Sequence, residues 1–264
     1  KIKLKIKGLG EQSILYFNLP AMDNQRYPNE IYIKKDAEQK HLNSNYYFNS
    51  EEEENIIVMI WDNYLITTKR MFMGCSNITE IDLTDFNLTL FKVTTNMFNG
   101  CSKLTSIIFG NYYIPDLYNP NYMFCGCSSL ISLDLSIFST AGVIVMEGMF
   151  SGCSSLESLN ISNFDTSKVT IMKKMFYNCS SLKHLDVTNF NTSKVENFNE
   201  MFAYCKNLIS INISNFNVSK TQSLNSLFMN CSSLILLDLS NFNTSIIINM
   251  GHMFYGCTSL ISLD

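Results

Sequence analysis

The chain has 264 residues, 46% of them apolar, which is enough for a large continuous core. Its net charge is −4 and only 16% of its residues are charged, so no field for polyanions is expected and nucleic acid is set aside as a partner. Its polarity comes from Asn, Ser and Thr, which suits a protein or sugar partner, and no apolar run approaches the roughly 18 residues of a membrane span.

The first seven residues, KIKLKIK, alternate strictly. Ile2, Leu4 and Ile6 share one face, and Lys1, Lys3, Lys5 and Lys7 share the other. That pattern predicts a half-buried strand. Gly8 and Gly10 permit a turn, after which SILYFNL at 13–19 reads as a second strand and IYIKK at 31–35 as a third. Glu51 to Glu54 form a charge run that reads as a solvated loop. NIIVMIW, ending at Trp61, resembles a divergent repeat strand, because Ile57 and Leu83 are separated by the same interval as Cys75 and Cys101. Residues 1–54 therefore read as a small β cap and 55–70 as a transition into a repeat array. Such arrays need caps, because an uncovered end exposes core.

From residue 71 to 264 the chain repeats about eight times. Cysteines stand at 75, 101, 127, 153, 179, 205, 231 and 257, a constant period of 26. Phenylalanines at 72, 98, 124, 150, 176, 202, 228 and 254 keep the same interval. The unit is close to LxxLDLSNFxTSxVxxMxxMFxxCSS. A unit this short cannot bury its own apolar face, so copies stack and share a core as a solenoid. Its L-D-L has the alternation of a short strand: Leu185 and Val187 point in, and Asp186 points out. Parallel stacking at about 4.8 Å gives a body roughly 40 Å long. Val169, Met172, Phe176 and Cys179 recur at near-helical spacing, which predicts a short helix or 3₁₀ turn in each unit.

With MFxGCSSL followed by LDLSNF, the unit resembles the BspA-like class of leucine-rich repeats, carried on surface proteins of mycoplasmas, other bacteria and protists. The resemblance covers 71–264. It implies a leucine-rich-repeat solenoid without catalysis, exposed outside the cell and used for adhesion, recognition or surface structure, and it carries over no catalytic residues. One repeat departs from the pattern. Ile108, Phe109 and Tyr112-Tyr113 replace its usual Asp, Leu and Phe-Asn, and Pro115 and Pro120 interrupt the following turn. Its outer face, with Tyr112, Tyr113 and Tyr122, is expected to be an irregular aromatic contact patch.

Asp264 falls at the Asp of an L-D-L strand, so an open edge is expected there, to be covered by more chain or by another molecule. One candidate cover is KIKLKIK of a neighbouring copy. Ile2, Leu4 and Ile6 would extend the inward column beyond Leu263, and lysines such as Lys3 and Lys5 would face Asp238 and Asp264. Such a head-to-tail contact does not close and propagates into a filament. Pairing of KIKLKIK within its own cap is the alternative.

Three residue sets could carry chemistry. Single cysteines once per unit are not metal-binding pairs, and His41, His184 and His252 occupy unrelated repeat positions, so no nucleophile has a regular base. A ladder of buried, reduced thiols is expected, with Cys125 outside it and less committed to the core. Asp82, Asp134, Asp186, Asp238 and Asp264 form one column, with Asn160 and Asn212 between them. Alternation with Asn relieves repulsion between stacked carboxylates. The column could instead present Asp134, Asp186 and Asp238 to a ligand, although a calcium cage would cluster carboxylates. Finally, N-x-S/T occurs nine times, at Asn77, Asn87, Asn160, Asn178, Asn191, Asn212, Asn217, Asn230 and Asn243. Asn191, Asn217 and Asn243 share a column with Asp165 and Ser139, a set that matches helix N-cap preference. Asn77, Asn87, Asn191, Asn217 and Asn243 are the glycosylation candidates.

No catalytic constellation, phosphate loop, cofactor site or metal cluster is legible. The expectation is a non-enzymatic extracellular or cell-surface protein. It either assembles with itself end to end, or binds another surface protein or a glycan along its strand face.

Overall fold

A computed structural model describes residues 1–7, 10–14, 28, 30–33, 45–48, 55–60, 68–86, 89, 93–115 and 117–263. The Glu51–Glu54 run, Trp61, Asn87 and Asp264 lie outside them. Eleven short strands occur in chain order among the described residues, with no helix.

The N-terminal strands are β1 (Ile2–Ile6), β2 (Gly10–Ser13), β3 (Glu30–Ile33), β4 (Asn45–Phe48) and β5 (Asn55–Ile60). The first repeat strands are β6 (Ile78–Leu83) and β7 (Ser106–Phe109), and one sheet runs β3-β5-β1-β6-β7. The alternation of KIKLKIK has its expected consequence: Ile2, Leu4 and Ile6 are fully buried. Lys3 reaches Asp82 at 3.3 Å and Lys5 reaches Glu80 at 2.7 Å. β1 is antiparallel to β5 on one side and to β6 on the other. It therefore separates β5 from the repeats, and residues 55–60 are not a first repeat strand. Of the expected second strand at 13–19, Ser13 closes β2, which pairs with β4, Ile14 lies beyond it, and 15–19 lie outside the described residues.

Beyond β6, each described unit pairs with the next in parallel, offset by one full repeat. Asp82 stands opposite Ile108. The strands β8 (Ser132–Asp134) and β9 (Ser158–Asn160) are related in the same way, as are β10 (Leu236–Leu237) and β11 (Ser262–Leu263). Where strands are shortest, Ile209 N–H donates to Lys183 O at 3.2 Å and Ile235 N–H to Ile209 O at 3.0 Å.

The segment ending at each cysteine differs from the expected helix. Its N–H groups alternate between two destinations. Met73 and Cys75 donate locally to Arg70 O and Phe72 O, three residues back. Arg70, Phe72 and Gly74 donate forward to Thr95 O, Met97 O and Asn99 O in the next unit. All seven junctions make these three forward bonds, at 2.6–3.0 Å. Two positions per unit adopt positive φ to allow it: Arg70 and Gly74 in the first unit, Lys174 and Asn178 in the fifth. The second position is Gly in five units and Asn in two, the residues that occupy left-handed backbone at least cost. Tyr204 fills it once, at φ 64. Repeated left-handed residues and forward bonds cannot coexist with an i→i−4 ladder, so the near-helical spacing does not produce a helix.

The core consists of inward columns. Phe72 to Phe254 form a continuous stack of eight rings, with neighbouring centroids 5.3–6.0 Å apart and planes within 12° of parallel. This is offset stacking, the arrangement that aromatic quadrupoles favour. The ladder cysteines from Cys75 to Cys231 are buried, and Cys257 is half-buried. From Cys101 onward, each thiol donates to the phenylalanine carbonyl of the preceding unit, at 3.0–3.2 Å.

Phe176→Ala is expected to cost about 3–5 kcal/mol in urea unfolding, because it opens a cavity with a ring on each side. Phe254→Ala, in the half-exposed unit, should cost less. A native thiol titration should label Cys125 and Cys257 first, both half-buried. The seven buried thiols should react only on unfolding, since burial pushes Cys75 and Cys205 up to about 12.

Candidate functional site

The Asp/Asn column of the strand segment is a turn. Asp134 Oδ1 accepts the N–H of Ser136 at 2.8 Å, Asp186 that of Thr188 at 3.0 Å and Asp238 that of Ser240 at 2.9 Å. Asn160 and Asn212 accept the matching bonds from Ser162 and Ser214. An Asx turn needs one side-chain oxygen, which either residue supplies, and this is why the column accepts both. Hydrogen bonds from Ser136, Thr188 and Ser240 hold the three carboxyls below the usual carboxylate range. All three are exposed, each committed to its own backbone. Among the described residues no group of three or more His, Cys, Asp or Glu could hold a metal.

Two further columns form the same turn. Asp165, Asn191, Asn217 and Asn243 accept N–H bonds from Ser167, Ser193, Ser219 and Ser245 at 2.8–3.1 Å. The expected capping role is therefore present, but it closes a turn where no helix follows. Asn119, Asn197 and Asn249 repeat it with Asn121, Asn199 and Gly251. Of the glycosylation candidates, Asn191, Asn217 and Asn243 are exposed with their oxygens engaged. Asn77 accepts Lys103 Nζ at 2.7 Å.

The end-to-end residues do not form an intermolecular edge. β1 has a strand on each side, so Ile2, Leu4, Ile6, Lys3 and Lys5 are spent inside their own chain. They are not available to cover Leu263 of another copy, and pairing within the cap prevails. Leu263 pairs with Leu237 and is 48% exposed. The aromatic patch divides. Tyr113 is 58% exposed, whereas Tyr112 donates its hydroxyl inward to Leu83 O at 3.1 Å and to Phe86 O. The Tyr122 ring lies across Gly148, where a Cβ would sit 2.4 Å from ring carbons.

Two residue sets gain a place only from the structure. Asn189 Nδ2 donates to Phe164 O at 3.0 Å, and Asn215 Nδ2 to Phe190 O at 2.7 Å, tying each unit to the one before. Their signal in the sequence is the N of each SNF or TNF, which recurs with the period of the repeat. The other set is Lys168, Lys194 and Lys220, exposed on three successive units.

No helix among the described residues is long and apolar enough to cross a membrane. No curated protein and no solved structure matches the chain. The sequence matches a family described as "Mycoplasma protein of unknown function, DUF285" over residues 37–130, 105–185 and 182–262. Those three overlapping matches span the cap's end and the repeats, and the chain belongs to that family of repeat-bearing proteins.

Proposed function

We propose that the chain is a non-enzymatic recognition module: a leucine-rich-repeat solenoid of BspA-like type, displayed outside the cell, that binds a protein or glycan along its sides. One internal comparison carries this reading. The inward columns hold one residue class, such as Leu104, Leu130, Leu156, Leu182, Leu208 and Leu234, all buried. One residue further on, the exposed position holds Thr105, Ile131, Glu157, Lys183, Ile209 and Ile235. A constant frame with a variable outward column is what a ligand-reading surface requires. The seven buried cysteines of the ladder support a non-catalytic role, since burial raises their pKa values.

Ile131→Ser, Ile209→Ser and Ile235→Ser combined should change stability by only about 0.5 kcal/mol per site, because these side chains are exposed. The triple variant should lose binding to whatever protein or glycan the wild-type chain captures on arrays of surface glycans and secreted proteins. Negative-stain images should show isolated particles. Fibres would decide for end-to-end assembly over side-on recognition, and array binding that survives the triple change would move the contact off this column.

A further inference from the structure

The charges of the repeats are segregated. Asp134, Asp186 and Asp238 stand at the turn after the strand, on alternate units. Lys168, Lys194 and Lys220 stand at the next turn, on three successive units. Each lysine lies three residues beyond an Asx-turn residue: Asp165, Asn191 and Asn217. A carboxylate lies near two of the three lysines: Glu196 two residues beyond Lys194, and Asp165 three residues before Lys168. There Asp165 is held below the usual range by Ser167 first, with Lys168 contributing. None of the three ammonium groups makes an ion pair among the described residues. Like charges at one position of successive exposed turns repel, so the column does not serve to stabilise the stack.

We infer that the lysine column is a binding line for an acidic polysaccharide lying along the stacking axis, with one acidic group per sugar meeting one lysine per unit. The net charge of −4 gives no long-range field, but a contact within a Debye length of about 8 Å does not need one. Two positions beyond the lysines stand Thr170, Glu196 and Gln222; Thr170 and Gln222 are hydrogen-bonding groups suited to sugar hydroxyls, whereas Glu196 sets one carboxylate beside the middle lysine. Single-stranded nucleic acid is disfavoured, because no aromatic platform lies between the lysines on which bases could stack. The aspartate column of a second copy is disfavoured too, because its charges recur on alternate units and the lysines on every unit. The inference rests on the recognition reading and gives it a ligand class.

The test uses the full chain with fluorescent polygalacturonate and heparin as probes and oligo(dT) as the nucleic-acid arm. At least one acidic polysaccharide should bind more tightly than oligo(dT). Three released counterions give a salt slope of about −2, or roughly fifteenfold weaker binding between about 50 and 200 mM salt. Lys168→Gln, Lys194→Gln and Lys220→Gln together should weaken binding at least tenfold and flatten the slope, while the melting temperature stays level or rises as repulsion is removed. The matched control, Lys69→Gln, Lys103→Gln and Lys206→Gln, exposed lysines outside both outward columns, should leave binding within twofold. Equal loss in the control, no loss in the ladder variant, a fall in melting temperature that accounts for the loss, tighter binding of oligo(dT), or no binding to either polysaccharide would each overturn the inference. If the acidic probes fail but a partner is still lost on changing Ile131, Ile209 and Ile235, the recognition reading stands and only the ligand class falls.

Discussion

One hydrogen-bond rule governs the repeats: a backbone N–H in the turn segment donates to a carbonyl of the next unit, one position short of a full repeat ahead, three times per junction. The rule explains the strict period. A unit one residue shorter or longer would present the wrong carbonyls and leave buried donors unpaired, at a cost of about 1–3 kcal/mol each. It also explains the two positive-φ positions, because left-handed residues turn alternate peptide groups toward the neighbouring unit. The three groups point the same way at every junction. Peptide dipoles in this segment therefore add along the stack, whereas in an ordinary strand ladder they alternate.

Side chains complete the junctions that the backbone begins. Thiols bond back to phenylalanine carbonyls, asparagine amides to carbonyls of the preceding unit, and rings to rings. Cysteine suits its column because it is small and apolar yet carries one weak donor, and an alanine there would leave the bond unmade. The Asx turns satisfy backbone groups within a unit. Polar side chains thus serve backbone first, and the outward positions that serve neither core nor turn are left to vary. Lys168, Lys194, Lys220, Ile209 and Ile235 belong to that outward set.

The cap obeys a different constraint. A stack of parallel strands has an edge at its start, and β1 covers it by running antiparallel to β6 while β5 covers β1. Lysines on the polar face of β1 meet Asp82 and Glu80, so its alternation is matched to this one position. The same alternation, taken alone, fits an adhesive edge equally well. Strand periodicity states which face is buried but not which strand lies beside it.

Residue type and spacing are enough to set the period, the inward columns of Phe, Cys and Leu, the burial of Ile2, Leu4 and Ile6, and the turn-capping character of Asn191, Asn217 and Asn243. All of these follow from a periodic burial pattern that is written locally. Three other features come from stacking alone: the MFxxC segment is not helical, Asp134, Asp186 and Asp238 serve their own turns, and β1 lies between β5 and β6. Gly74, Gly100, Gly126 and Gly152 hint at the first, but the near-helical spacing of the apolar residues around them masks the hint. For the segment and the strand the physical reason is shared. The competing hydrogen-bond partner, Asn99 O for Gly74 or β6 for β1, is brought close only by stacking and lies too far along the chain for local pattern to report.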